Sequence, residues 1–252
     1  VPMGADGLFQ SARHYAELLW SSSAFADSLM TVFTQFQSGT SNVTGEGFNP
    51  ASDFKAFVEN NGPQIMFAAK EKDYLKDLSG KPKRIQWPTP GENPDWRAVH
   101  KLIQWAEASN VELIFFTHPY HVSLLEAFDR KGLWPAFEAW KIKLTTVADR
   151  WNIPLWDFAV VSDETLEAVP SQDSMAFYWE AGHYKAELGD RMVVRMRGGE
   201  GFGFKLKSEY VQDYLALQRK QLLNYRGAHP EDARRNQDQS AARKSMSELA
   251  TK

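Results

Sequence analysis

No cysteine occurs among the 252 residues. That absence excludes a disulfide framework, a thiolate metal centre and a cysteine nucleophile, and it fits the cytosol and an envelope space equally. Long apolar runs are missing too. Nothing approaches the roughly 18–20 consecutive apolar residues of a membrane-spanning helix, and no segment reads as a signal peptide. An excess of one charge sign is also lacking: 29 Lys and Arg stand against 32 Asp and Glu, a net charge of -3. Such a balance gives no reason to expect nucleic acid or an acidic membrane surface as partner. The chain begins at Val1 rather than Met, so a processed or trimmed N-terminus is expected, with room for a leader or a membrane tether ahead of it.

What is present suits a globular protein with a sizeable core. Hydrophobic residues make up 43% and charged residues 24%, ordinary values for such a chain. Aromatics reach 13%, with nine Trp. Most are expected in the core, where large rigid rings contribute heavily, and some are candidates to line a groove in which sugar rings stack.

Apolar residues at spacings of three and four over 8–36 predict one or two helices, with the serines of "WSSSAF" at a break between them. Residues 38–50 read as a loop and 63–78 as a helix, followed by the Pro-rich connection "SGKPKRIQWPTPGENP". Asn93-Pro94 combines an N-cap with a proline at the first helical position, and "DWRAVHKLIQWAEASN" continues as an amphipathic helix ending near Asn110. "VELIFFT" (111–117) is a continuous apolar strand, the pattern of a parallel strand covered on both faces. A helical stretch broken near Gly132 then runs to Trp151, and "IPLWDF" (153–158) is the next strand. Helix and strand alternating in this way predict parallel crossover units, with 111–117 beside 153–158. A long loop over 159–178, a helix over 183–197, a glycine-rich turn and a helix over 209–224 capped by Ser208 complete the pattern. Two strands make no viable parallel sheet alone. The reading is therefore an α/β fold whose sheet is incomplete on its N-terminal side. Its segments are 1–92 (helical and loop-rich), 93–225 (α/β) and a disordered tail over 226–252.

Ligands of parallel α/β sheets bind beyond the carboxyl ends of the strands. Three groups are expected to gather there: Thr117-His118-Pro119-Tyr120-His121, Asp157, and the loop leading to Trp179, Glu180 and His183. His183 is expected at or just before the first turn of its helix, where the N-terminal dipole disfavours an imidazolium. Glu180, three positions earlier on the incoming loop, is within reach of its second ring nitrogen, the arrangement a general base requires. The competing arrangement is structural, with Glu180 capping backbone N–H groups and His183 merely packed. His118 and His121 together with His183 or Asp157 suggest a zinc site, but no HExxH helix supports it; lining a substrate cleft, or simply forming a hydrogen-bonded turn, suits His118 better. "GGEGFG" follows a helix rather than a strand, so a turn is expected there and not a phosphate loop. The serines of "WSSSAF" lack the strand-to-helix turn that exposes a nucleophile.

The blocks "FFTHPYHVSLLEAF", "GLWPAFEAWK", "PLWDF" and "FYWEAGHYKAELGDRMVVRM" in this order resemble the SGNH/GDSL hydrolase superfamily. The likeness extends over residues 94–225, and the sequence is similar to SGNH-like bacterial envelope proteins distantly related to exopolysaccharide O-acetyltransferases. The resemblance implies a three-layer, flavodoxin-like parallel sheet flanked by helices. It implies His183 as the base that activates a serine hydroxyl and Glu180 in place of the family's aspartate. Beyond that pair, His118, Tyr120, His121, Asp157 and Trp179 are the residues expected to line the substrate cleft from their place near the strand ends, and no cofactor or metal is expected. The family's Gly-x-Ser block is not visible in this chain, and is expected upstream of Val1 with the strands the sheet lacks. On this likeness the function is a serine esterase or O-acyltransferase acting on an acylated carbohydrate in the bacterial envelope or periplasm. The alternative is an inert SGNH-like module that binds glycan or scaffolds polysaccharide machinery.

Overall fold

A computed structural model describes residues 51–78 and 94–229. The expected helices over 8–36, the loop over 38–50, the cap at Asn93 and the tail beyond 229 lie outside the described residues. The chain divides into two compact units, Val1–Phe54 and Lys55–Lys252. Apart from the first residues of the helix that opens at Ser52, everything below concerns the second.

The described chain is mixed α/β, with seven helices and a small mixed sheet. Its elements are α1 (Ser52–Asn61), α2 (Pro63–Leu78), α3 (Pro94–Ala108), β1 (Phe115–Thr117), α4 (Val122–Arg130), α5 (Trp134–Arg150), β2 (Leu155–Asp157), β3 (Tyr178–Glu180), β4 (His183–Tyr184), α6 (Ala186–Met196), β5 (Phe204–Lys205) and α7 (Val211–Ala228). Proline opens α2 and α3, where its missing N–H costs nothing and its fixed φ suits the helix. Helices α3 and α5 both end ahead of an asparagine in the left-handed region, Asn110 (φ 53°) and Asn152 (φ 51°), and each feeds a strand. A short polar side chain tolerates that conformation better than a branched one. Gly132, at φ 68°, separates α4 from α5 where the sequence placed a break.

β1 and β2 pair in parallel, Thr117 opposite Asp157. The third strand, β5, is antiparallel to β2 and gives the order β1-β2-β5. A parallel sheet was expected, and β5 departs from it: the glycine-rich turn after α6 is short, and it brings the chain back alongside β2 directly. The strands are also shorter than the apolar runs that signalled them. β1 is not covered on both faces, since Ile114 and Phe116 are 43% and 46% exposed. Ser208 does not cap α7. The cap residue is Tyr210, without a side-chain hydrogen bond.

The core centres on Leu155, Phe158, Tyr178, Leu188, Met192 and Leu206. Beneath it, the Asp157 carboxylate receives Thr117 Oγ1 (2.5 Å), Lys141 Nζ (2.6 Å), Tyr214 Oη (3.0 Å) and Ala159 N (3.1 Å). These four donors satisfy a buried charge that would be strongly destabilising if left unpaired. Residues 159–177 contain no helix or strand but are tied down. Glu167 accepts from the N–H groups of Ala176 and Phe177, and Val122 N donates to Thr165 O (2.9 Å). On the far side, Arg219 and Arg226 of α7 bond Asp129 of α4, and Arg226 also reaches Glu126 (3.0 Å). Helix α7 therefore continues past the expected boundary at residue 226. No helix among the described residues is long and apolar enough to cross a membrane.

Candidate active site: a buried carboxylate and an exposed imidazole

β3 and β4 form an antiparallel hairpin closed by Ala181-Gly182, with Glu180 opposite His183. This corrects the expected position of both residues. His183 belongs to a strand, two residues ahead of the Lys185 cap of α6, and Glu180 lies on the facing strand rather than in a loop. Their meeting is thus a cross-strand pair, in which opposite residues stand close enough for side chains to touch.

Glu180 is fully buried, whereas the side chain of His183 is 60% exposed. The Glu180 Oε1 atom bonds His183 Nδ1 and also accepts from Tyr74 Oη at 3.1 Å; its Oε2 accepts from Gly182 N at 2.9 Å. A carboxylate only accepts, so Nδ1 carries the hydrogen and proton exchange falls to Nε2. Burial would push the Glu180 carboxyl up, yet the His183 bond, the Gly182 N–H, the imidazolium charge and the Tyr74 hydroxyl together hold it below the usual carboxylate range. The bond to Glu180 raises His183 above the ordinary imidazole value against partial burial and the charge of Lys70. Burial and the adjacent carboxylate push the Tyr74 phenol far up, so it stays a donor.

Tyr74 was not foreseen. It reaches the site from α2, and Gly182 makes its approach possible. A Cβ at Gly182 would overlap the Tyr74 hydroxyl and stand 2.7 Å from its Cζ. No periodic or motif signal marks a tyrosine 106 positions away; the glycine directly before the histidine was the one hint that something passes close.

His118 lies beside the pair. Its Nε2 donates to Gly182 O (2.8 Å), and its ring packs against Tyr120 (4.8 Å) and Tyr184 (4.9 Å). Burial lowers its pKa, so it is a neutral wall of the site. Tyr120 is half-buried in the same aromatic group. Trp179 is half-buried between two buried neighbours on β3, with Lys185 Nζ 4.4 Å from its ring centre.

Two expected cleft residues are corrected. Asp157 is wholly buried, with both oxygens engaged as described, so it braces the strand ends rather than meeting a substrate. His121 is 4% exposed; its Nδ1 accepts from Ser123 N (3.2 Å) at the start of α4, and its Nε2 donates to Glu167 O (2.9 Å). Both of its nitrogens serve the scaffold. With His118 Nε2 also occupied, the three histidines do not converge on a common ion, and among the described residues no group of three His, Asp or Glu side chains does.

The arrangement resembles the acid–histidine half of a triad: the acid fixes the tautomer and stabilises charge on the ring, and the ring is largely exposed. Compared with protein-family models, curated proteins and solved structures, the chain matches none.

Proposed function

We propose that Glu180 and His183 are the acid–base pair of an SGNH-type serine esterase or O-acyltransferase, acting on an acylated carbohydrate of the bacterial envelope. The observation that carries this reading is the bond between a fully buried carboxylate and Nδ1 of an exposed imidazole. In this reading β1 and β2 belong to a three-layer parallel sheet, and the nucleophilic serine lies outside the described residues. The serine Oγ attacks the ester carbonyl carbon while His183 Nε2 takes its proton. Glu180 stabilises the imidazolium. The tetrahedral intermediate then expels the sugar oxygen, which recovers the proton from Nε2. Water or a second hydroxyl releases the acyl group by the same steps in reverse order. Tyr74 positions Glu180, and His118, Tyr120 and Trp179 supply rings for a sugar to stack on.

The reading is tested by fluorophosphonate labelling of the protein as it occurs in its cell. Replacement of His183 by alanine is expected to slow labelling by about 10²–10⁴-fold, the range a positioned general base contributes. Equal labelling rates in the two proteins reject His183 as the base.

One observation favours a second reading, an inert glycan-binding module. The raised pKa of His183 keeps more of its ring charged at neutral pH, which suits binding of an acidic group better than proton abstraction. Failure of the intact protein to label, with retention on an acidic polysaccharide that His183→Ala abolishes, selects this reading.

A further inference from the structure

Beyond the carboxyl end of β2, the segment 160–162, the residues 202–204 that lead into β5 and the first turns of α7 surround an open cavity of about 430 Å³. That volume falls within the range of small-molecule sites. None of the residues placed around the Glu180–His183 pair takes part in its lining. The walls are mostly apolar, and two of the apolar side chains lie open: Phe204 is 43% exposed and Leu217 54%. Tyr214 backs Phe204 with a nearly parallel ring at 4.6 Å, so Phe204 offers a braced flat surface rather than a loose side chain.

Two polar groups in the lining are unmatched. Gln218 is 8% exposed, and its Oε1 accepts from Val161 N at 3.1 Å. That bond fixes the orientation of the amide and leaves Nε2, with its two N–H donors, no acceptor among the described residues. Nε2 is not walled in: the sealed side-chain atoms that lack a partner among the described residues are Glu126 Oε2 and Gln221 Oε1. A nearly buried donor that keeps access to the cavity it lines calls for an acceptor from outside. Asp213, exposed in the first turn of α7, makes no hydrogen bond or ion pair among the described residues. Ionised, it can only accept.

These demands select the class of ligand. A purely apolar molecule leaves the Gln218 donors unmet. An anion finds no lysine or arginine in the lining and is repelled by Asp213. An aliphatic cation pairs with Asp213 but brings no acceptor for Gln218. A neutral ring whose edge carries hydroxyl groups answers both, because a hydroxyl accepts from Gln218 and donates to Asp213. Its C–H face then lies on Phe204 and Leu217. We infer that this cavity is a binding site for a neutral sugar in its pyranose ring form. The inference rests on this lining alone and holds whether or not His183 is catalytic.

The test is an NMR titration of the isotope-labelled, full 252-residue chain with methyl β-D-glucopyranoside, whose equatorial hydroxyls leave both ring faces to C–H groups. Glycerol, which carries hydroxyls without a ring, is the control. The glucoside is expected to move the Gln218 side-chain amide and the Val161 backbone amide along one saturating curve, and glycerol is expected to give no such curve at the same concentrations. Asp213→Ala should weaken the glucoside roughly tenfold, the order of one hydrogen bond to a charged acceptor, with the circular dichroism spectrum unchanged. His183→Ala should leave the affinity as it is. A Gln218 amide that does not respond saturably, an equal response to glycerol, undiminished affinity in Asp213→Ala, or loss of binding in His183→Ala would each overturn the assignment.

Discussion

Glu180 and His183 face each other across a two-residue turn, and their environments are opposite: the carboxylate has no solvent exposure, while the imidazole side chain is 60% exposed. The pair therefore couples a buried charge to bulk pH. The His183 pKa is raised, so its stabilising contribution is full below the unfolded value of about 6.5 and is lost as pH climbs through the folded value. The Glu180 pKa is lowered, so its contribution is present above about 4.5 and is lost as pH falls through the depressed value. Urea midpoints measured from acid to alkaline pH should pass through a maximum between those limits. His183→Asn should flatten the alkaline limb. Superimposable profiles for the two proteins would show that the pair is not coupled to folding.

If the pair is catalytic, kcat/KM should rise with pH as the imidazolium loses its proton, with a midpoint above the ordinary histidine value, because Glu180 holds that proton. A midpoint below it would mean that burial, not the carboxylate, governs the ring.

Tyr74→Phe removes one donor from the buried Glu180 carboxylate while keeping the ring. A stability loss of about 1–3 kcal/mol is expected, as for a donor withdrawn from a buried acceptor. The Glu180 carboxyl should titrate higher than in the parent, because the Tyr74 bond contributes to its depression. A carbon-detected NMR titration reads this directly, and an unmoved carboxyl would show that Tyr74 makes no such bond in solution.

Gly182→Ala places a methyl where the Tyr74 ring now passes. The expected cost is about 1–3 kcal/mol, the usual range for an overpacked site. In a Tyr74→Leu background the same substitution should cost much less, and the difference is the coupling between the two residues. Equal costs in both backgrounds would place the strain elsewhere.

Lys141→Met leaves the Asp157 carboxylate buried without its cation. Breaking such a pair from one side typically costs about 3–5 kcal/mol. Adding Asp157→Leu should recover part of the loss, since an apolar pair of similar volume needs no counter-charge. Chemical denaturation of the two variants decides it: no recovery in the double variant would assign the loss to packing of the lysine stem.

Much of the frame was legible because its signals are local. Proline at 94, the break at Gly132 and two apolar runs entering parallel strands each depend on a few neighbouring residues. The meeting of Glu180 with His183 was also legible, though for a mistaken reason. The sequence suggests a loop running into a helix, whereas the contact is made across a hairpin whose strands span three and two residues, too short to show alternation. Asp157 and His121 follow or end strands, where both scaffold and ligand residues occur, and only their saturated hydrogen bonds separate the two uses. Tyr74 was illegible because nothing near position 74 refers to position 180. β5 is two residues with no apolar pattern, and its pairing with β2 comes from the path of the preceding turn.

Arg226 has a consequence for how the chain can be shortened. By composition it opens a polar terminal stretch, yet its guanidinium bonds both Glu126 and Asp129 on another helix. Trimming back to Leu223 would strip that cation from two carboxylates that are almost sealed from water, and would remove Tyr225 from the smaller hydrophobic cluster around Leu125, Trp134 and Leu222. The last stitches of the fold are therefore sewn by residues that look dispensable. A shortened version that keeps its cooperativity has to retain Arg226.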